Sequence, residues 1–262
     1  MSQNPIGIFD SGLGGLTIYN EIHKLLPHEN IIYLADSKNA PYGGKPKEQI
    51  IEISVKNTEF LLKNNCKLIV VACNTASTNA VKYLREHYQV PIIRVQPAIK
   101  PAALNSKTKV VGMLATKGTL ESELLFETAQ RFASGVKVVE RVGEGLVDLI
   151  ENGKMESPEM TQLLKKYVEP MLDHNIDQLV LGCTHYPFLT QQIREITGEG
   201  VQIIDSGEAI ARQTRVILGQ EGLLNEDQKE GERVFYSNKN VQVLQDMLDL
   251  FHDNLIATAI DF

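Results

Sequence analysis

Short apolar runs alternate with segments of helical periodicity along most of the chain. The runs are rich in Val and Ile and are apolar at consecutive positions, which is typical of strands that are covered on both faces. They span residues 5–9, 30–35, 67–72, 91–95, 109–115, 136–140, 178–182, 201–205 and 233–237. Between them, apolar residues recur every three or four positions, as on the buried face of an amphipathic helix. This alternation predicts an α/β fold with parallel sheets and right-handed crossovers.

The last helical segment carries an apolar seam. Its members are Val241, Leu244, Leu248, Phe251 and Leu255. The spacing predicts one helix through Leu255 that packs on a sheet or on a second subunit.

Two parts of the chain resemble each other. GIFDSG at residues 7–12 aligns with GMLATK at 112–117, and VVACNT at 70–75 aligns with VLGCTH at 180–185, at offsets of 105 and 110. This weak repeat predicts two similar halves that face each other across a cleft with approximate symmetry. Ligands of such folds bind beyond the carboxyl ends of the strands. The residues of interest directly follow the predicted strands: Asp10, Ser11, Asp36, Cys73, Asn74, Thr75, Thr116, Cys183, Thr184 and His185.

Composition narrows the class of protein. The chain has 262 residues and a formal net charge of −7, and no run of Lys or Arg is long enough to follow a phosphate backbone. We therefore expect no nucleic-acid partner. No apolar segment reaches the roughly 18 residues of a membrane span, and the first residues, MSQNP, lack the pattern of a signal peptide. These features predict a cytoplasmic protein without a membrane partner.

The segment FDSGLGGLT follows a predicted strand and opens a helix. The dinucleotide fingerprint needs three glycines at fixed spacing; Gly12 and Gly14 match, but Thr17 stands at the third position. Asp36, at the end of the next strand, stands where a ribose-binding acid would be. The match is partial, so a tight turn whose backbone N–H groups face a small anion is favoured over nucleotide binding.

The three cysteines include no Cys-x-x-Cys pair, which favours neither a disulfide framework nor a structural zinc site. Cys66 is interpreted as a small, partly buried residue. Cys73 and Cys183 each follow a strand and precede a helical pattern, whose N-terminus would stabilise a thiolate. Two thiols from opposite halves suit inversion of a stereocentre, because one thiolate can remove an α-proton while the other thiol donates a proton from the opposite face.

These motifs resemble those of the glutamate racemase family, within the aspartate/glutamate racemase superfamily. The resemblance is carried by GIFDSGLGGLT, APYGGK, VVACNTAS and LGCTHYPFL. It implies two α/β domains, the second inserted in the first, with boundaries here at residues 1–97 plus 207–262 and at 98–206. It also implies a homodimer that interconverts L- and D-glutamate without pyridoxal phosphate, metal or other cofactor, and that supplies D-glutamate for cell-wall peptidoglycan.

The resemblance implies roles for individual residues. Cys73 would be the base toward D-glutamate and Cys183 the base toward L-glutamate, assisted by Asp10 and His185 respectively. The alternative for Asp10 is a helix N-cap, and for His185 a residue that only orients the Cys183 loop. Glu151 would be the glutamate that the family carries in this region, although GEGLVDLIENG departs from the family pattern. The alternative for Glu151 is a solvated acid on a helix.

The remaining matches are expected to bind the substrate. Short neutral side chains and backbone amides can hold a zwitterion without adding net charge, and the Pro-Tyr-Gly segment resembles a backbone clamp on one carboxylate. The substrate-binding residues that the resemblance implies are Asp10, Ser11, Pro41, Tyr42, Gly43, Asn74, Thr75, Thr116, Thr119, Thr184 and His185.

Two other functions remain open from the sequence. One is an aspartate racemase or a relative that acts on another acid, which a panel of substrates would distinguish. The other is a binding protein that holds an amino acid without turnover. The paired thiols disfavour the binding protein, because binding alone has no use for two acid–base groups.

Overall fold

The computed structural model describes residues 2–133, 135–251 and 255–262. The chain divides into two compact units, of which the first comprises Met1–Val95 with Gly207–Phe262 and the second comprises Gln96–Ser206. Each unit is built on one parallel β-sheet that is connected through helices. The α/β fold with parallel sheets, predicted from the alternation of apolar runs and helical segments, is confirmed.

The described residues form ten strands. These are β1 (Ile6–Asp10), β2 (Ile31–Ala35), β3 (Leu68–Val71), β4 (Ile92–Arg94), β5 (Val110–Ala115), β6 (Lys137–Val142), β7 (Gln178–Gly182), β8 (Gln202–Ile204), β9 (Arg233–Ser237) and β10 (Ala257–Ala259). The strand order is β10-β9-β2-β1-β3-β4 in the first unit and β6-β5-β7-β8 in the second. All nine predicted runs contain a strand. Strand β10 has no counterpart among the predicted runs, because three residues are too few to show a pattern.

The helices cover the connections between these strands. They are α1 (Leu16–Leu25), α2 (Lys47–Lys63), α3 (Asn74–Asn79), α4 (Val81–His87), α5 (Ile99–Asn105), α6 (Lys117–Leu120), α7 (Glu123–Phe132), α8 (Leu146–Glu151), α9 (Pro158–Leu172), α10 (Thr190–Thr197), α11 (Gly207–Gln220) and α12 (Val241–Asp249), with 3₁₀ helices at Tyr42–Gly44 and Tyr186–Leu189.

The prediction of one last helix through Leu255 is wrong. Helix α12 ends at Asp249, and Phe251 lies in a turn beyond it. The amide of Gln245 binds the returning chain: its Nε2 donates to the carbonyl of Leu255 and its Oε1 accepts from the N–H of Ala257, both at 2.8 Å. These two bonds fix the segment that leads into β10 against α12.

The two sheets repeat the same arrangement. The strands β2-β1-β3-β4 and β6-β5-β7-β8 have the same order, and the pairs Gly7–Ile69 and Gly112–Leu179 occupy equivalent register positions. The sequence offset of 105 relates Gly7 to Gly112, and the offset of 110 relates Ile69 to Leu179. The weak internal repeat is therefore confirmed in topology and register. The first unit adds β9 and β10 from the C-terminal part of the chain.

Cys66 in the first unit and Ile176 in the second occupy equivalent positions of the repeat, each packed against a strand glycine. A Cβ atom on Gly7 would lie 2.9 Å from Cys66 Sγ, and one on Gly112 would lie 2.8 Å from Ile176 Cδ1. Burial raises the pKa of Cys66 to about 12, so its thiol stays protonated at neutral pH. Cys66 is a small structural residue, as predicted, but with 5% exposure it is more fully buried than the predicted partial burial.

The strands that carry the site are held in dense cores. In the first unit, Phe9 and Val71 from the sheet pack with Ile50, Leu61 and Leu84 from α2 and α4. Truncating a buried Leu, Ile or Phe side chain to Ala typically costs about 2–5 kcal/mol. The candidate site residues directly follow these strands, so the packed core holds the strand ends that position them.

Candidate active site

Cys73 and Ser11 meet at two neighbouring strand ends of the first unit. Strands β1 and β3 are paired, and the N–H of Ala72 donates to the carbonyl of Phe9 at 2.8 Å. The chain continues from β3 into Cys73, the N-cap residue of α3, and from β1 into Ser11. The Sγ atom of Cys73 donates to Oγ of Ser11 at 3.6 Å, and both residues are buried.

Asp10 is fully buried at the end of β1. Its Oδ1 accepts the N–H of Gly12 at 2.8 Å and lies 3.5 Å from Oγ of Ser11. Helix α1 begins at Leu16 with Gly15 as its N-cap residue. The alternative that Asp10 is a helix N-cap is therefore wrong. Its carboxylate instead holds the turn after β1 and lies behind the serine that contacts Cys73.

The glycines after β1 have a packing reason. A Cβ atom on Gly15 would lie 2.7 Å from Cβ of Asp10 and 3.0 Å from Cβ of Ala72. Helix α1 can therefore start this close to the strands only with glycine at that position.

Asp36 is 1% exposed and its carboxylate accepts hydrogen bonds from Tyr42 and Asn39. It is engaged inside the protein and does not present its oxygens to a ribose.

Three side chains of the second unit form a continuous chain. Cys183 directly follows β7, and its Sγ lies 3.7 Å from Nδ1 of His185. Nε2 of the same imidazole lies 2.6 Å from Oε1 of Glu151. The His185 and Glu151 side chains are 1% and 11% exposed. Glu151 is therefore not a solvated helix acid.

The local fold explains how Glu151 reaches His185. Helix α8 is short and ends at Glu151, and its N-cap residue Gly145 has a φ of 82°, in the left-handed region that glycine favours. Buried residues Leu146 and Ile150 anchor α8 in the core of the second unit. The last residue of the helix is then directed at the imidazole.

His185 has a strongly perturbed pKa. Complete burial by itself lowers the pKa of an imidazole, because it disfavours the charged form. The hydrogen bonds and charges of Cys183 and Glu151 outweigh burial and raise the pKa of His185 well above 6.5. The protonated form of the imidazole is therefore favoured between the sulfur and the carboxylate.

The helix expected after Cys183 forms, but α10 begins only at Thr190 and a 3₁₀ turn precedes it. Residues Tyr186–Leu189 make a 3₁₀ helix, in which the N–H of Tyr186 donates to the carbonyl of Cys183 at 3.1 Å. Pro187 has no N–H and cannot make the α-helical bond back to Cys183. Cys73, in contrast, directly precedes α3. The two thiols thus have different supports: a helix N-terminus at Cys73 and an imidazolium at Cys183.

The other predicted substrate-binding residues of the first unit lie near Cys73. Asn74 and Thr75 form the first turn of α3 and are 3% and 2% exposed. The Nδ2 atom of Asn74 has no hydrogen-bond partner among the described residues. The segment Pro41–Gly43 enters the 3₁₀ helix at Tyr42, whose side chain is buried while Pro41 is exposed. This short helix packs against α3.

In the second unit, Thr116 follows β5 as Cys183 follows β7, and the two strands are paired up to Ala115 and Gly182. The Oγ1 atoms of Thr116 and Thr119 lie 3.0 Å apart. Thr184 is 4% exposed.

Sequence reasoning missed two residues near the first unit's site. Asn57, on α2, and Asn238, after β9, both donate to Asp36. Asn238 directly follows a predicted strand, so the strand-end rule could have identified it. Asn57 lies in the middle of a helix and shows no local signal.

The described parts of the chain bring together no group of three His, Cys, Asp or Glu side chains suited to a metal ion. Within those same residues, no helix combines the length and apolar character needed to cross a membrane.

Comparison with known proteins agrees with this geometry. The chain matches the Asp/Glu/Hydantoin racemase family over residues 6–214. A glutamate racemase from Herpetosiphon aurantiacus is 46% identical over 231 residues, which cover 88% of this chain and 91% of that protein.

Solved structures agree as well. A glutamate racemase isoform from Bacillus anthracis superimposes with a TM-score of 0.88 at 31% identity, covering 100% of this chain and 99% of that one. The Escherichia coli glutamate racemase, solved with L-glutamate and the activator UDP-MurNAc-ala, superimposes with a TM-score of 0.86 at 33% identity and 98% coverage of both chains. The resemblance drawn from the sequence motifs is confirmed, and the chain belongs to the Asp/Glu/Hydantoin racemase family.

Proposed function

We propose that the protein is a cofactor-independent glutamate racemase, an isomerase that interconverts L- and D-glutamate. The observation that carries the proposal is the pair of buried thiols at equivalent strand ends, Cys73 after β3 and Cys183 after β7. The Herpetosiphon aurantiacus relative is named as a glutamate racemase, and the Escherichia coli structure contains L-glutamate. Both support glutamate as the substrate.

The reaction exchanges protons at the α-carbon of glutamate. One thiolate takes the α-proton and becomes a thiol, which leaves a carbanion. The other thiol then gives its proton to the opposite face of that carbon and becomes a thiolate. Cys73 is the base toward D-glutamate and Cys183 the base toward L-glutamate, so each turnover exchanges the protonation states of the two. The reaction requires both thiols to reach opposite faces of one α-carbon.

His185 and Glu151 support the second-unit thiol. The hydrogen bonds and charges that raise the pKa of His185 favour its protonated form, and its Nδ1 lies 3.7 Å from Cys183 Sγ. His185 is thereby placed to assist proton movement at Cys183. Glu151 holds the imidazole of His185 through Nε2 and so orients Nδ1 toward the sulfur. Cys183, His185 and Glu151 thus follow the order of a reactive group, its proton-transfer partner and an orienting acid.

Ser11 and Asp10 support the first-unit thiol in a different way. The Cys73 thiol donates to Ser11 Oγ, and the Asp10 carboxylate lies behind that hydroxyl. The proton of Cys73 can thus move toward an acceptor group when the thiol becomes a base. Asp10 stays oriented because its Oδ1 also accepts the N–H of Gly12.

Neutral groups around Cys73 bind the substrate's ammonium and α-carboxylate. The buried Nδ2 of Asn74 has no partner among the residues that the structure describes. Leaving such a donor unpaired typically costs about 1–3 kcal/mol, and a substrate oxygen would satisfy it. Thr75 adds hydroxyl and backbone groups, and the Pro41–Gly43 backbone contacts one carboxylate. Within the second unit, the proposed substrate-binding residues are Thr116, Thr119 and Thr184.

The experiment that tests the proposal is incubation of the purified protein with L-glutamate in D₂O, with a reducing agent and no added cofactor. We expect optical rotation to decay to zero while deuterium enters the α-carbon, as followed by polarimetry and NMR. Deuterium entry without loss of rotation would leave one competent base and contradict the two-thiol reaction. No change in either signal would overturn the proposal and favour a binding protein.

The same assay with aspartate tests the second candidate, an aspartate racemase. Faster racemisation of aspartate than of glutamate would replace the proposed substrate. As a glutamate racemase, the protein would act in the cytoplasm as a homodimer and supply D-glutamate for peptidoglycan. Sedimentation of the purified protein tests the dimer, and growth that depends on added D-glutamate after gene deletion tests the supply.

A further inference from the structure

Asp36 is the centre of a buried hydrogen-bond network in the first unit. Its carboxylate is 1% exposed and accepts a short hydrogen bond from Oη of Tyr42. It also accepts from Nδ2 of Asn39 at 2.9 and 3.1 Å, from Nδ2 of Asn57 at 3.5 Å, and from Nδ2 of Asn238. A buried carboxylate needs such donors, since burial without hydrogen bonds is costly.

The network joins segments that are far apart in sequence. Asn238, which follows β9, donates to Asp36 and also accepts the N–H of Lys38 at 2.8 Å, across about 200 positions. Asn57 belongs to α2 and donates to Oη of Tyr42 at 3.0 Å. The turn after β2, the helix α2 and the C-terminal part of the chain are thus fixed to one carboxylate.

Tyr42 carries this network toward Cys73. The Tyr42 side chain is 1% exposed and belongs to the same apolar cluster as Cys73. Tyr42 is the first residue of the 3₁₀ helix Tyr42–Gly44. This short helix packs against α3, whose N-cap residue is Cys73. Burial and the charges of Asp36 and Cys73 raise the pKa of Tyr42 well above 10. The phenol therefore remains a donor to Asp36 and does not exchange protons in the reaction.

We propose that Asp36 and the Tyr42 hydroxyl form a positioning pair that fixes the Pro41–Gly43 backbone beside Cys73 for binding of a substrate carboxylate. The inference rests on the proposed racemase function and adds two side chains to it. The pair acts through the backbone clamp and touches no reacting atom. Its loss weakens the grip on the substrate in the ground state and in the transition state alike.

The test uses Tyr42→Phe, which keeps the ring and removes the hydroxyl, and Asp36→Asn, which puts an N–H donor among the donors of Asn39, Asn57 and Asn238. The matched control is Tyr88→Phe, whose hydroxyl donates to the exposed Glu59 at 3.2 Å. Full-length variants are assayed for racemisation from both enantiomers, with KM and kcat separated, and for thermal unfolding.

We expect Tyr42→Phe and Asp36→Asn to raise KM for both enantiomers by about tenfold, with kcat changed by less than about twofold. Tyr88→Phe keeps wild-type constants. A folded Tyr42→Phe variant with unchanged KM would overturn the pairing role, even if its Tm falls, because the network would then only stabilise the unit. If Asp36→Asn does not fold, Tyr42→Phe decides alone. An inactive wild-type protein would overturn the proposed function itself, and with it this role.

Discussion

The Nε2 atom of His185 lies 2.6 Å from Oε1 of Glu151, and the opposite nitrogen of the same ring lies 3.7 Å from the sulfur of Cys183. The two residues are 34 positions apart and come from different connections of the second unit's sheet. This contact gives the Cys183 thiol a cationic neighbour. At Cys73 the corresponding support is a hydroxyl and a helix N-terminus.

Glu151→Gln should lower the pKa of His185. The glutamine oxygen can still accept a hydrogen bond but carries no charge, so the burial that disfavours the imidazolium is less well opposed. Imidazole ¹⁵N shifts, followed against pH, measure the change. Glu156→Gln is the control, because Glu156 is exposed and accepts from Gln192. A His185 pKa that is the same in Glu151→Gln and wild type would contradict the assigned contact.

The protein should become less stable as pH rises through the range in which His185 loses its proton. The pKa of His185 is higher in the folded protein than the ordinary imidazole value of 6.5. The stabilisation from proton binding is therefore complete below that value and is lost as pH rises through the folded pKa. The difference in unfolding free energy between wild type and His185→Gln should shrink by up to about 1.4 kcal/mol per pH unit in that range. Urea unfolding at several pH values measures it, and a difference independent of pH would contradict the prediction.

Replacing either site cysteine should abolish racemisation while the fold survives. Cys73→Ala and Cys183→Ala each remove one acid–base group, and such groups contribute on the order of 10³-fold to rate. Circular dichroism and polarimetry measure fold and turnover. Cys66→Ala is the control, since Cys66 is a protonated core thiol, and it should retain turnover. Near-wild-type turnover in either site variant would exclude the two-thiol reaction.

Gly15→Ala should impair both folding and the first-unit site. The new methyl group would lie 2.7 Å from Asp10 Cβ, and overpacking of this kind costs about 1–3 kcal/mol. The strain would shift Asp10 relative to Ser11, so turnover should fall more than the loss of stability explains. Gly200→Ala is the control, because nothing lies within 4 Å of a Cβ atom there. Equal behaviour of the two variants in denaturation and activity assays would refute the packing argument.

The sequence by itself determined the features that depend on neighbouring residues. The Val- and Ile-rich runs specify nine strands, and the strand-end rule identifies Cys73 and Cys183, because both signals are written within a few consecutive positions. The repeat between residues 7–12 and 112–117 also survives as an equivalent register of Gly7 and Gly112. Local patterns fail where a strand is very short, as at β10, and where a helix ends before its apolar seam does, as at α12.

Only the tertiary structure decided which polar side chains meet. Glu151 reaches His185 from another helix, and Asn238 reaches Asp36 across 202 positions. No periodicity in the sequence records such contacts, because they depend on how separate strands are ordered in the sheet and on where each connection ends. A buried charge is stable only with its partners in place, so the pKa of His185 and the orientation of Tyr42 are properties of the assembled unit.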